Sequence, residues 1–210
     1  KVGVKLCIPG EVAGSCCGQI YASKGFNTAY AYKANEIVER MWQWSQQGKL
    51  PVLIDFSSCV YTMIHSRDVL SKENRDKFDR LQIIDSIQFL RDFVIPRARV
   101  INKKQQVVLH PVCSLEKMGV GQVLTTVAAA FAEKVIVPQQ AGCCGMAGDR
   151  GFLFPELTDS ACAAEADEVK EWKADGYYST SKTCEMAISA AVGKNYHSIM
   201  VLAEEAISSR

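Results

Sequence analysis

Short apolar runs alternate with amphipathic stretches along the chain, and the alternation predicts strands and helices in turn. Val2-Gly3-Val4-Lys5-Leu6-Cys7-Ile8 opens as a strand, ends at Pro9, and leads through a glycine-containing loop to Cys16-Cys17-Gly18. A helix follows from Asn27, with Tyr30, Ala34, Ile37, Val38 and Met41 on one face and Lys33, Glu36, Glu39 and Arg40 mostly elsewhere, and it stops near Gly48. Pro51-Val52-Leu53-Ile54-Asp55-Phe56 reads as a buried parallel strand that delivers Ser57-Ser58-Cys59 to a helix over 60–66. The charged residues 71–80 read as a solvated helix or loop, and 83–93 as an amphipathic helix running to Pro96.

The second half restarts with the strand Lys104-Gln105-Gln106-Val107-Val108-Leu109, which ends in His110-Pro111-Val112-Cys113. A buried helix rich in Ala and Val covers 120–133 and leads to the strand Lys134-Val135-Ile136-Val137-Pro138, just ahead of Cys143-Cys144-Gly145. A helix capped by Thr158 or Asp159 extends to Trp172. The strand Gly176-Tyr177-Tyr178-Ser179-Thr180 hands Ser181-Lys182-Thr183-Cys184 to the next helix, and a last helix over 198–207 closes the chain. The expected class is α/β with a largely parallel sheet. Strand, Pro, Gly, Cys-Cys-Gly, basic residue and Gly-Phe occur twice, so two similar lobes are expected, 1–100 and 101–210. Each would be a small, mainly parallel sheet flanked by helices, the two forming an internal repeat.

Composition narrows the function classes. With 48% hydrophobic and 22% charged residues, the 210-residue chain can bury a core as one domain or two small lobes. A net charge of +1 from scattered basic residues argues against a nucleic-acid partner. The longest apolar runs fall short of a membrane span, and no secretory signal is evident. The chain opens with a strand already under way, which gives the expectation of a fragment of something longer.

Nine cysteines fit reduced thiols doing metal or redox chemistry better than a disulfide scaffold. Cys7, inside the first strand, and Cys162, on a stripe with Ala166 and Val169, read as core. Cys16, Cys17 and Cys59, and likewise Cys113, Cys143, Cys144 and Cys184, lie just beyond the carboxyl ends of predicted strands, where α/β folds gather functional groups. Zinc usually takes thiolates spaced as Cys-x-x-Cys because two side chains must converge on one ion. An iron-sulfur cluster spreads its irons, so adjacent thiolates can reach different ones. Glycines and a helix N-terminus at each pair would favour thiolate, with Lys24, Arg150 and Lys182 adding positive charge. His110 would bond a sulfur or serve as a structural residue; His65 and His197 read as structural or exposed. The alternatives are a zinc-binding or metal-free scaffold that docks a partner and, behind it, a redox-active dithiol.

The doubled pattern resembles the cysteine-rich CCG domain of heterodisulfide reductase, the glycolate oxidase iron-sulfur subunit and lactate-utilisation proteins. Cys143-Cys144-Gly145-Met146-Ala147-Gly148-Asp149-Arg150-Gly151-Phe152, then Pro155-Glu156-Leu157-Thr158 and Thr183-Cys184-Glu185-Met186, is similar to the carboxyl-terminal region of bacterial FAD-linked D-lactate or D-2-hydroxyacid dehydrogenases. The resemblance implies a 4Fe-4S cluster on Cys113, Cys143, Cys144 and Cys184, with Cys16, Cys17 and Cys59 as ligands in the first half; by their sequence positions, Arg150, Lys182 and His110 are expected beside that cofactor. It also implies FAD on an upstream domain, FAD oxidase and ferredoxin-like domains as partners, and a downstream electron acceptor. Reduced thiols give the expectation of a cytoplasmic setting, free or peripheral to the inner face of the membrane. The fuller family motif ends in Cys-x-x-Cys, and its first cysteine is replaced here by Phe56 in one half and Ser181 in the other. Four thiolates suit an ordinary 4Fe-4S centre in the second half; the first half also lacks a leading cysteine.

Overall fold

Parallel strands need crossover connections of a dozen or more residues, and the helical stretches between the apolar runs supply them. The computed structural model describes residues 1–207. Among these, six strands form two sheets. Val52–Ile54 (β1) and Ile83–Asp85 (β2) pair in parallel as the smaller one. Lys104–Leu109 (β3), Ala132–Ile136 (β4), Gly176–Ser179 (β5) and Tyr196–Ser198 (β6) form the larger, in the order β4-β3-β5-β6, again parallel throughout. The helices are Gln19–Ala22 (α1), Asn27–Trp44 (α2), Ser57–Ile64 (α3), Lys72–Phe78 (α4), Ser86–Phe89 (α5), Cys113–Lys117 (α6), Gly121–Phe131 (α7), Arg150–Leu153 (α8), Pro155–Val169 (α9), Lys182–Val192 (α10) and Ile199–Ala206 (α11). The architecture is α/β, with two small parallel sheets flanked by helices.

There are two cores, and the smaller sheet packs on both, with Val52, Ile54 and Ile83 against one and Leu53 and Ile84 against the other. β3 is the central strand of the larger sheet, and Val107, Val108 and Leu109 are wholly buried, as expected of a strand covered on both faces. Around them pack Leu115, Leu124, Phe131, Ile188, Ile199 and Leu202. The smaller core gathers Ala34, Val38 and Met41 of α2 with Met63 and Leu70. The segment after β2 crosses to the larger core through Ile87, Phe89, Leu90 and Val94.

The two halves are joined beside their Cys-Cys-Gly turns. Lys24 Nζ donates to Asp149 Oδ2 at 2.7 Å, and Arg150, at the matching place in the second half, donates to the Ser23 carbonyl at 2.6 Å. Farther along, the Ser57 amide donates to the Thr180 carbonyl at 3.0 Å and the Ser58 amide to Ser181 Oγ at 3.3 Å. The start of α3 is thereby fixed to the carboxyl end of β5.

The structure corrects several expectations. Residues 2–8 form no strand, and Leu6, Cys7 and Ile8 are exposed, so Cys7 is not core. A strand requires a ladder partner, and β2 is the only described neighbour of β1. Val2 and Val4 instead pack on the larger core. The helix expected over 83–93 begins as β2, because Ile83, Ile84 and Asp85 pair with Val52, Leu53 and Ile54. Only after Asp85 does α5 start, closed by a capping box in which Asp85 accepts from the Ile87 amide and Gln88 accepts from the Asp85 amide. The helix expected from 158 to 172 is α9, which opens at Pro155, where the missing N–H costs nothing, and stops at Val169. β6 and α8 are additions that the apolar pattern does not predict. The first half has two paired strands against four in the second, so an internal repeat is not established by the strand order.

Phe131 is fully buried at the end of α7. Phe131→Ala should cost about 3–5 kcal/mol, read as a lowered urea midpoint at unchanged slope; a loss within about 1 kcal/mol would show that this core is not packed as described.

Candidate metal centre

Adjacent parallel strands end side by side, and this is what brings distant thiols together. Beyond β3, the His110 amide extends the ladder by donating to the Tyr178 carbonyl at 2.9 Å, and Ser179 Oγ donates to the His110 carbonyl at 2.8 Å. Three residues later Cys113 is the first residue of α6. Beyond β5, Thr180 and Ser181 are buried, and Cys184 lies in the first turn of α10. The third contribution is the loop after β4. There Gly145 adopts φ +76°, and a Cβ at that position would lie 2.5 Å from the Leu157 carbonyl oxygen, so a side chain is excluded.

The result is a pocket with a buried floor and an open rim. The Cys144 and Cys184 sulfurs are 2.8 Å apart, both thiols are free, and both are buried. A ring nitrogen of His110 and these two sulfurs all lie within 4.8 Å of one another, the only such three-donor group among the described residues. His110 Nε2 is buried with no hydrogen-bond partner, while Nδ1 is engaged by Glu165 at 2.8 Å. Cys113 is half-buried and Cys143 is exposed. Both stand outside the tight trio but close enough to each other for their protonation to be linked.

Charge alternates among the sulfurs because buried thiols this close cannot all ionise. Cys144 is lowered to about 5, chiefly because Cys184 donates to it, with help from His110 and the Met146 amide against the cost of burial. Cys184 is correspondingly pushed up by Cys144 and by burial. Cys143 is lowered to about 6, chiefly by Cys113, with the Gly145 amide and Lys117 assisting, and Cys113 is pushed up in turn. Burial alone would lower His110, but the Cys144 sulfur and the Glu165 carboxylate outweigh it and raise the imidazole to about 9.

The helix N-termini at the pocket differ from the expected ones. The Cys143-Cys144-Gly145 turn opens no helix, since α8 begins only at Arg150; α6 and α10 bring their first turns to Cys113 and Cys184 instead. Arg150 and Lys182, expected beside the cofactor, have other partners: Arg150 bonds Ser23, and Lys182 is exposed and bonds Glu185 at 3.1 Å. The basic side chain acting on the thiols is Lys117, which lowers both Cys113 and Cys143. Sequence reasoning missed it, and missed Glu165. A signal for Glu165 existed, because it falls on the buried stripe with Cys162 and Val169, where an apolar residue is the norm.

In the first half, Cys17 and Cys59 meet with sulfurs 3.1 Å apart, and the Gly18 amide donates to Cys16 Sγ at 3.3 Å. Cys59 is lowered by the bond from Cys17. Cys16 lowers Cys17, but Cys59 and burial outweigh it and push Cys17 up to about 12. Cys162 is buried as expected, its thiol 3.7 Å from the Cys144 carbonyl, and burial pushes it up to about 12. His65 and His197 are exposed.

The donor chemistry fits a metal group. Two sulfurs and a nitrogen are close enough to share one ion, and two further sulfurs widen the set beyond a single ion's shell, as a cluster of several irons requires. Comparison with known families agrees. Residues 107–189 match the model of the CCG cysteine-rich domain. The matched stretch runs from β3 into α10 and contains His110, Glu165 and all four pocket cysteines. No curated protein matches the chain. The stretch that matches this model thus carries a buried His-Cys-Cys group able to bind metal. No helix among the described residues is long and apolar enough to cross a membrane.

In the reduced, metal-free protein at pH 7, iodoacetamide should label Cys143 roughly tenfold faster than Cys113, because only Cys143 is both exposed and largely thiolate. The rate at Cys143 should fall only as pH drops through about 6, where the thiolate gains its proton. Peptide mass spectrometry showing equal rates at Cys143 and Cys113 would contradict the charge alternation.

Proposed function

We propose that the CCG domain is the iron-sulfur electron-transfer domain of an oxidoreductase, with Cys113, Cys143, Cys144 and Cys184 holding a 4Fe-4S cluster. The observation that carries the proposal is the meeting of these four thiols, from three separate strand ends, around one buried imidazole. When bound, such a cluster takes up and gives back single electrons. The residues of this chain would hold and tune it. Cys144 and Cys184 form the water-excluded floor, and Cys113 and Cys143 form the rim nearest solvent. The Gly145 and Met146 amides and Lys117 offset the thiolate charge.

The resemblance of residues 143–158 and 183–186 to FAD-linked D-2-hydroxyacid dehydrogenases of the D-lactate type supports a finer proposal. In it, the domain stands between an FAD oxidase domain, with its ferredoxin-like companion, and a downstream electron acceptor, in the cytoplasm or at the inner face of the membrane. Arg150 would hold the two halves at the pocket's edge, and Lys182 would act on the cofactor at a distance. Cys16, Cys17 and Cys59 would supply three thiolates of a second site. A second reading, a zinc-holding scaffold that docks the oxidase partner, is favoured by one observation, the compact His110, Cys144 and Cys184 trio.

Anaerobic reconstitution with iron and sulfide tests the choice. The expected result is about four irons and four sulfides per occupied site and, after one-electron reduction with dithionite, a 4Fe-4S signal in electron paramagnetic resonance, lost in Cys144→Ala and in Cys184→Ala. A signal that survives both substitutions would remove the assignment, and zinc without sulfide in anaerobically purified protein would select the scaffold.

A further inference from the structure

One helix backs the pocket from behind, and it does so through a side chain that packing alone would not place there. Glu165 is 2% exposed, in the middle of α9, between Cys162 and Val169 on the stripe that faces the larger core. A buried carboxylate without a strong partner is heavily penalised. Its only side-chain partner among the described residues is His110, whose Nδ1 lies 3.0 Å from Oε1 and 2.8 Å from Oε2. His110 is itself 1% exposed and is pinned at its backbone from both sides, by the Tyr178 carbonyl and by Ser179 Oγ. The ring has one freedom left, rotation about its side-chain bonds, and the carboxylate removes it. One turn earlier on the same face, Cys162 reaches the Cys144 carbonyl, so α9 fixes both the turn that carries Cys144 and the ring that faces it.

We infer that Glu165 is the positioning residue of this pocket: by accepting the Nδ1 proton of His110 it holds the imidazole with Nε2 turned to Cys144 and Cys184, presenting a nitrogen donor to a soft or borderline metal ion. The inference rests on the metal-holding reading of the same site. It explains why Nε2 is buried and unpartnered, which in a stable fold is otherwise a plain cost. A carboxylate that orients a metal-facing histidine holds the proton on the nitrogen it accepts from, so that the other nitrogen can exchange its proton for a metal ion.

Titration of the metal-free, reduced chain with Co²⁺, followed by its visible absorption, reads the geometry directly. Glu165→Ala should weaken Co²⁺ binding by roughly 10–100-fold and alter the cobalt spectrum. His110→Ala should do the same, and the double variant should lose little more than either one, because both remove the same contact. Glu165→Gln, whose amide oxygen can still accept from Nδ1, should fall between wild type and Glu165→Ala. It also provides the comparison if the alanine variant does not fold. Wild-type affinity and spectrum in a folded Glu165→Ala or Glu165→Gln protein, or fully additive losses in the double variant, would overturn the inference. The cluster proposal fails separately. Wild type that binds Co²⁺ in this Glu165-dependent way but never takes up iron and sulfide would remove the cluster and keep the positioning role.

Discussion

Thiols that lie close together in a water-excluded place cannot all be charged and gain little by all being neutral, and the pocket is built around that constraint. The Cys144 and Cys184 sulfurs, 2.8 Å apart, settle it by sharing a proton, as Cys143 and Cys113 do at the rim. A cation set among them would resolve the same conflict for all four, by letting each sulfur ionise. The fold supplies positive compensation from several directions: backbone amides of the Cys-Cys-Gly turn, the first turns of α6 and α10, Lys117 and the imidazole of His110.

What holds the sulfurs at these distances is sheet topology. β3 and β5 are neighbours, so His110 and Cys113 beyond one strand lie beside Cys184 beyond the other. β4 flanks β3 on its other side and feeds the loop that returns with Cys143 and Cys144. The wholly buried Val107, Val108 and Leu109 make β3 the fixed reference for the group. The first half arranges Cys17 and Cys59 similarly, at a sequence spacing of 42 against 40, yet on a two-stranded sheet and, among the described residues, with no imidazole beside them. The reciprocal contacts of Lys24 with Asp149 and of Arg150 with Ser23 tie the two turns together, which makes the relative placement of the two thiol groups part of the fold rather than a consequence of a flexible linker.

The parts of this arrangement that could be read from sequence are those set by local pattern. Apolar runs mark β1, β3, β4 and β5 to within a few residues, and thiols just past strand ends point to a shared pocket because parallel sheets collect groups there. Parts set by pairing could not be read. Residues 2–8 look like a strand by composition but have no neighbour to bond, and 83–85 look helical by continuity yet are taken by the free edge of β1. Basic residues near the cysteines in sequence, Arg150 and Lys182, turn to other partners, whereas Lys117 acts on the thiols from the end of α6. Glu165 is hidden for the same reason: its partner is 55 residues away, and only the packing of α9 behind the sheet end brings them together.

X-ray absorption at the metal edge of anaerobically purified protein tests the convergence of thiols most directly, because it counts the atoms bound to the metal. Convergence of Cys113, Cys143, Cys144 and Cys184 requires a first shell dominated by sulfur, which changes when Cys144 or Cys184 is replaced. A shell made only of oxygen and nitrogen, or one indifferent to both replacements, would mean that these cysteines do not form a metal centre.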